Sequence, residues 1–292
     1  MNARAISASG AAADLISLTK PRLSGLVVAT AAGGMWLSPG QITLPRGLFL
    51  LLVIAGTVGA ANALNCFLER DTDRFMARTR GRPLPAGRME PPVALWFGVG
   101  LSAICLPALA LAANPLTGAL GLLAFTSYVF VYTPMKARSA MAMLVGAVPG
   151  ALPPLMGWTA VSGSIDPGGL ALFALLFVWQ LPHSVAIALF RKEEYEAAGL
   201  KSLPIVRGEA ASRAHILGYL AVLWPVALAP HFLGLAGRVY LGAAALLGAA
   251  LFALGARGFL LRLGRPWARQ VFLASLVYLS AVFLVLMLGR AR

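Results

Sequence analysis

Apolar stretches long enough to cross a bilayer follow one another along nearly the whole of this 292-residue chain. A spanning helix needs about 20 mostly apolar residues. The stretches fall at 22–38, 46–68, 92–111, 115–133, 141–160, 169–190, 214–235, 238–256 and 269–288. They predict an all-α integral membrane protein with about nine transmembrane helices. Backbone polar groups in lipid must be satisfied within the segment or in a closed barrel, which leaves helices for runs of this length. Only 12% of the residues are charged, whereas soluble domains carry about 25%.

The charges present are unevenly placed. Of the 24 Lys and Arg, most lie in the N-terminal segment and in the loops after the second, fourth, sixth and eighth spans. Positive residues are retained on the cytoplasmic side, so the N-terminus is expected to be cytoplasmic. The same bias accounts for the formal charge of +14 without a nucleic-acid partner. Met1–Asp14 lacks the charged, apolar and cleavage regions of a signal peptide. A flexible N-terminus over 1–14 and a single transmembrane domain over 15–292 are expected. Cys66 and Cys105 stand in apolar runs and match neither a zinc site nor a disulfide framework.

Six of the ten acidic residues form two clusters, Glu69/Asp71/Asp73 and Glu193/Glu194/Glu196. Each sits at the expected C-terminal end of a span. Carboxylates there repel one another and oppose the helix dipole. A bound cation or nearby arginines would offset that cost. Asn65, Glu69 and Asp73 are four apart and would form one polar stripe on a continued helix. Such a stripe faces a cavity or a partner rather than lipid. Mg²⁺ favours one or two carboxylates together with water and substrate phosphates. Two such clusters facing each other would hold a diphosphate through metal ions, with Arg78, Arg82, Lys136, Arg138 and Lys192 taking the remaining phosphate charge. The competing reading is a solvated helix end paired with Arg70 and Arg74.

A weak repeat supports the facing arrangement. Lys20-Pro-Arg22 and Lys136-Ala-Arg138 each open a span, an acidic cluster ends the next, and Leu84-Pro85 and Leu203-Pro204 follow. Four-helix pseudo-repeats over 15–133 and 134–256, with a last helix at 269–288, would bring both clusters to one membrane face across a shared cavity.

Two further motifs lie deeper. Trp179-Gln180-Leu-Pro182-His183 precedes the second acidic cluster, and His183, Ile187, Phe190 and Glu194 share one helical face. The helical rise puts His183 about 16 Å below Glu194. There it would orient or ligate an acceptor, or simply bond a neighbouring helix. Gly146, Gly150 and Gly157 offer close helix approach, while Pro149, Pro153 and Pro154 are expected to break or kink the same span. The chain beyond Arg213 reads as structural.

These motifs together resemble the intramembrane UbiA-type prenyltransferases, and within them the heme-farnesylating branch. The matching text is Leu18-Thr-Lys-Pro-Arg22, Asn65-x-x-x-Glu69-Arg-Asp71-Thr-Asp73, Met76 to Gly87, and Tyr132-Thr-Pro-Met-Lys136. It continues with Gly146 to Trp158, Trp179-Gln-Leu-Pro-His183 and Glu194 to Pro204. The resemblance implies helices around a central cavity that binds farnesyl diphosphate through Mg²⁺. It implies attack by a vinyl group of heme b and addition of water to give heme O. The product would go to heme A synthase or terminal oxidase assembly. The expected setting is a bacterial cytoplasmic (inner) membrane, with lipid as the surrounding partner. Carried over by position, Asn65, Glu69, Asp73 and Glu194 fall on the catalytic motifs, and Glu69, Asp73 and Glu194 on the metal positions. Lys20, Arg22, Arg78, Arg82, Lys136, Arg138 and Lys192 fall on the diphosphate side. Trp179, Gln180 and His183 fall on the heme side. Positions 69 and 194 carry Glu where the family pattern has Asp, and Ala142 stands at an Asn position.

Two other readings share parts of the pattern. A prenyltransferase for another aromatic or chlorin acceptor would keep the carboxylates and differ around Trp179–His183. A carrier of anionic metabolites would use the same charged ends and form no new bond.

Overall fold

The computed structural model describes residues 8–290, and among these the chain is helical. Eight helices are long and apolar enough to cross a membrane. They are α3 (Leu44–Leu68), α4 (Pro91–Ala112), the continuous Pro115–Met135 segment, α7 (Ala142–Ser162), α8 (Pro167–Phe190), α11 (Gly208–Phe232), α12 (Arg238–Leu260) and α13 (Arg265–Leu288). The Pro115–Met135 segment is built from α5 (Pro115–Thr126), a π-helical stretch (Ser127–Tyr132) and the last turn α6 (Thr133–Met135). The first expected span is α2 (Pro21–Leu37), a helix of 17 residues. Short helices α9 (Lys192–Ala197) and α10 (Leu203–Val206) follow the second acidic cluster. The N-terminal segment expected to be flexible is helical from Ala8 onward, as α1 (Ala8–Leu18); residues 1–7 lie outside the described residues. Arg88 tethers it through an ion pair to Asp14 at 3.0 Å.

The helix starts follow local chemistry. Asn114 caps α5 by accepting from the Thr117 amide at 2.8 Å, and Asp166 caps α8 through the amides of Gly168 and Gly169. Pro21, Pro91, Pro115 and Pro167 sit in first turns, where a missing N–H costs nothing. Between α1 and α2, Lys20 adopts a left-handed backbone with φ of 51°. That turn swings the chain into α2 and leaves the Lys20 side chain facing inward.

Helix α7 is the centre of the bundle, packed against α2, α5 and α8. The sequence predicts that its three prolines break or kink it; no break occurs, and Ala142–Ser162 runs as one helix. Neighbours on several sides support it. A Cβ at Gly34 would run into the backbone carbonyl of Pro154, and one at Gly157 into that of Ala31. Helices α2 and α7 therefore cross backbone to backbone, through small residues as membrane helices do. Dispersion contacts at that crossing add to what holds α7 in place. Helix α8 packs on α7, α11 and α13, and α13 returns against α2. Apolar side chains such as Leu52, Ile104, Leu111, Leu246 and Val277 point outward, as a lipid-facing surface requires.

Candidate functional site

The helices enclose a cavity of about 530 Å³. Its polar end gathers Lys20, Asn65, Glu69, Asp73, Arg78, Arg82 and Lys136 from the first half of the chain, with Tyr195, Lys201 and Ser202 from the second. The deeper walls are apolar, including Val27, Val58, Phe125, Met156, Leu176 and Leu279, with Trp179, Gln180 and His183 on one side.

The polar stripe predicted on one helix is realised in two pieces. Helix α3 ends at Leu68, Glu69 is its C-cap, and Asp73 sits in a 3₁₀ turn, Thr72–Phe75. The bonding pattern nonetheless continues: the Glu69 amide donates to Asn65 O at 2.9 Å, and the Asp73 amide to Glu69 O at 2.8 Å. This keeps all three residues on the cavity. Asp71 faces out, 69% exposed beside Arg70 and Arg74.

Each cavity carboxylate has a basic partner. Lys136 Nζ lies 2.8 Å from Glu69 Oε1, and Arg82 pairs with Asp73 Oδ2 at 2.5 Å. Lys20 donates to Asn65 Oδ1 at 2.6 Å, and Asn65 Nδ2 donates to Thr133 Oγ1 at 3.0 Å. The Lys136 ammonium also lies 4.6 Å from the Tyr132 ring centroid. The π-helical stretch supplies Tyr128 and Tyr132 to the cavity wall. Such insertions re-aim side chains and are common at functional sites.

The charges tune one another. Burial pushes the Lys20 ammonium down to about 8, and Arg82 and Lys136 nearby add to the shift. For Glu69, burial pushes the carboxyl up, but Lys136 and Lys20 outweigh it and hold it below its ordinary value. Lys136 is raised despite its burial by Tyr132 and Glu69. The polar end is thus a concentrated set of cations with two carboxylates embedded in it.

Asp73 is 1% exposed, and its Oδ1 has no hydrogen-bond partner. An unpartnered buried carboxylate oxygen is expensive unless a ligand completes it. Together with Glu69 it offers hard oxygen donors of the kind Mg²⁺ selects. The donor set in the cavity therefore fits a divalent cation shared with a phosphate.

Not every residue expected at the site lines the cavity. Helix α8 stops at Phe190, so Glu194 lies on α9 and off the face shared by His183 and Ile187. Its carboxylate pairs with Arg191 at 2.9 Å. Arg22 and Arg138 are exposed, and Lys192 lies outside the lining. Conversely, Tyr128, Tyr132, Tyr195, Lys201 and Ser202 line the cavity, though the sequence motifs assign none of them to the site. Tyr132 carried a signal, since it lies one turn before Lys136. Ser202 stands on the cavity with a buried hydroxyl lacking a partner.

On the deep side, His183 stacks on Trp179 with centroids 4.6 Å apart and lies 4.9 Å from the Phe272 ring. Its Nδ1 is 2.7 Å from Ser275 Oγ, and Trp179 Nε1 donates to Ser275 O at 2.7 Å. Gln180 donates to Ala147 O at 3.3 Å and fills the space above Gly150. Helix α13, which the sequence marked as structural, thus contributes directly to the site through Ser275, Leu276 and Leu279.

Residues 26–286 match the model of the UbiA prenyltransferase family. The chain is 63% identical over 290 residues to a protoheme IX farnesyltransferase of Myxococcus xanthus, covering 99% of both chains. It is 56% identical to that of Anaeromyxobacter dehalogenans, over 95% of this chain and 94% of the relative. Among solved structures, one reported for a digeranylgeranylglyceryl phosphate synthase superposes with a TM-score of 0.81 at 18% identity, covering 94% of this chain and 97% of that one. A UbiA homologue from Archaeoglobus fulgidus, bound to GPP and Mg²⁺, superposes with a TM-score of 0.64 at 18% identity, covering 94% and 99%. With the family match running through every helix that builds the cavity, this chain belongs to the UbiA prenyltransferase family.

Proposed function

We propose that this chain transfers the farnesyl group of farnesyl diphosphate to a vinyl group of heme b, with addition of water, to give heme O. The observation that carries this reading is a single cavity that joins a cation-rich, carboxylate-bearing end to an apolar interior with an aromatic and histidine wall. High identity to proteins called protoheme IX farnesyltransferase supports the choice of donor and acceptor.

The diphosphate is held at the polar end by Lys20, Arg78, Arg82 and Lys136. Glu69 and Asp73 would hold Mg²⁺, joined by Glu194 once it leaves Arg191. When bound, the metal neutralises charge that develops on the leaving diphosphate. The farnesyl tail lies along the apolar walls, which exclude bulk water from the reacting carbon. The allylic C–O bond breaks and the diphosphate leaves with the electron pair. The vinyl carbon of heme supplies the electrons of the new C–C bond. Water adds to the resulting cation and loses a proton, completing the hydroxyethylfarnesyl group. Trp179, Gln180 and His183 line the heme side.

The basic loops favour a cytoplasmic N-terminus in a bacterial inner membrane, with the polar end of the cavity on the cytoplasmic face. The order of packing supports the pseudo-repeat: α2, α3, α4 and α5 follow one another as α7, α8, α11 and α12 do. Heme O would pass to heme A synthase or to oxidase assembly.

Mass spectrometry of hemes extracted from membranes expressing the chain, supplied with heme b, tests the proposal. A heme heavier by one farnesyl unit and one water is expected. Unmodified heme, with folded protein and farnesyl diphosphate present, would redirect the search to another aromatic acceptor. Transport without bond formation would favour a carrier.

A further inference from the structure

Ser275 lies on α13, within a run that carries no other sign of chemistry. Its hydroxyl oxygen is 2.7 Å from Phe272 O and 2.7 Å from His183 Nδ1. The hydroxyl has one proton. A carbonyl oxygen can only accept, so the contact with Phe272 requires that Ser275 donate to it. Nδ1 must then donate its own N–H to Ser275 Oγ. This fixes the imidazole as the Nδ1–H tautomer and leaves the lone pair on Nε2.

The ring orientation is fixed as well. His183 packs against both Trp179 and Phe272, and Trp179 is itself anchored by donation to the Ser275 carbonyl. Ser275 therefore holds both rings, one through its hydroxyl and one through its backbone. Ser275 is fully buried, and no solvent competes for its bonds. Among the described residues Nε2 has no hydrogen-bond partner, it is not sealed from the cavity, and His183 lines the cavity. The ring thus presents a free, unprotonated nitrogen to the cavity interior.

We propose that Ser275 is a positioning residue that locks His183 in the Nδ1–H tautomer, so that Nε2 ligates the iron of the heme substrate and sets the orientation of the porphyrin. The inference rests on the heme-prenylating reading of the cavity. Metal-bound histidines commonly donate their second ring N–H to such a partner, which fixes the tautomer and raises ligand basicity. Iron ligation would hold the porphyrin at the deep wall, with a vinyl edge free to meet the farnesyl carbon.

The test is resonance Raman spectroscopy of the purified full-length protein loaded with ferrous heme b, without farnesyl diphosphate, alongside a heme-binding titration. The wild type is expected to show an iron–histidine stretching band, and His183→Ala to lose it, with exogenous imidazole restoring it. Ser275→Ala should move the band to lower frequency and weaken heme binding by about tenfold, the low end for loss of such a partner. Ser275→Thr, which keeps the acceptor oxygen, should restore the wild-type frequency. An unshifted band and unchanged affinity in Ser275→Ala would overturn the positioning role. Absence of the band in a wild type that still farnesylates heme would overturn iron ligation and leave the transferase reading intact. A wild type that neither binds nor modifies heme would remove both.

Discussion

Replacing Asp73 with Asn separates a metal-binding carboxylate from one that merely balances charge. The cavity lining holds five cations, Lys20, Arg78, Arg82, Lys136 and Lys201, against two carboxylates, Glu69 and Asp73. Neutralising Asp73 makes the site more positive and frees Arg82 for the diphosphate. With an effective dielectric near 20, one unit of charge several ångströms away is worth about 2 kcal/mol. Metal-free binding of farnesyl thiodiphosphate should therefore tighten in Asp73→Asn, by roughly 30-fold. Turnover should move the other way and fall by at least about a thousandfold, equivalent to about 4 kcal/mol of transition-state stabilisation. Asn keeps an acceptor for Arg82, whose side chain is 20% exposed and can turn toward cavity water. The loss of fold stability should accordingly stay below the roughly 3–5 kcal/mol typical of a broken buried pair. Calorimetric titration with and without Mg²⁺, product analysis by mass spectrometry and a thermal melt read the three quantities. Turnover within tenfold of wild type in folded protein would refute the metal assignment. Weaker metal-free binding would refute the charge argument.

Other substitutions probe separate parts of the site. A chelator should stop heme farnesylation and Mg²⁺ restore it, measured as product per unit time; full activity in metal-free buffer counts against the carboxylate site. Lys136→Met leaves Glu69 buried without its partner, so both thermal stability and diphosphate affinity should fall, the former by about 3 kcal/mol. Glu194→Gln should reduce turnover by about a hundredfold if that carboxylate exchanges Arg191 for metal, about 2.7 kcal/mol in the barrier; near-normal kcat would confine the metal to Glu69 and Asp73. Gly157→Leu forces a side chain into the α2 backbone, so folded protein recovered in detergent should drop sharply, while Gly163→Leu, whose Cβ direction is open, should be limited to the strain of its left-handed backbone.

The spanning helices were legible because their determinants are local. Length of apolar run, first-turn prolines and the caps Asn114 and Asp166 are all readable without tertiary information. The first acidic motif was legible for the same reason, since i→i+4 spacing survives the change from α-helix to 3₁₀ turn after Leu68. The face expected to carry both His183 and Glu194 is not realised, because one residue, Arg191, ends α8 and Glu194 falls on α9. A helix end of that kind carries no proline or glycine at the break. The close crossing of α2 and α7 was equally hidden, because it needs Gly34 of one helix as much as Gly157 of the other. Ser275 was missed since a lone serine in an apolar helix matters only through the ring that packs on it from α8.

The pairing of every candidate metal carboxylate with a base explains how such a site persists without its ligand. Glu69, Asp73 and Glu194 each have a Lys or Arg within 3 Å. Left alone in a buried cavity, either partner would bear a large desolvation cost. Paired, the charges neutralise one another, and among the described residues only Asp73 Oδ1 and the Ser202 hydroxyl remain unsatisfied around the polar end. A metal–diphosphate complex would offer each side a new partner of the right sign, the carboxylates holding the cation and Lys136 and Arg82 the phosphate oxygens. Binding would then exchange ion pairs rather than create them, so the net driving force would come from the orphaned oxygens and from burial of the farnesyl chain. A free metal ion without diphosphate would break those pairs and leave the bases uncompensated. Mg²⁺ alone should therefore bind far more weakly than Mg²⁺ with farnesyl thiodiphosphate. Calorimetry that found equal affinity for the metal in both cases would show that the bases and carboxylates act independently.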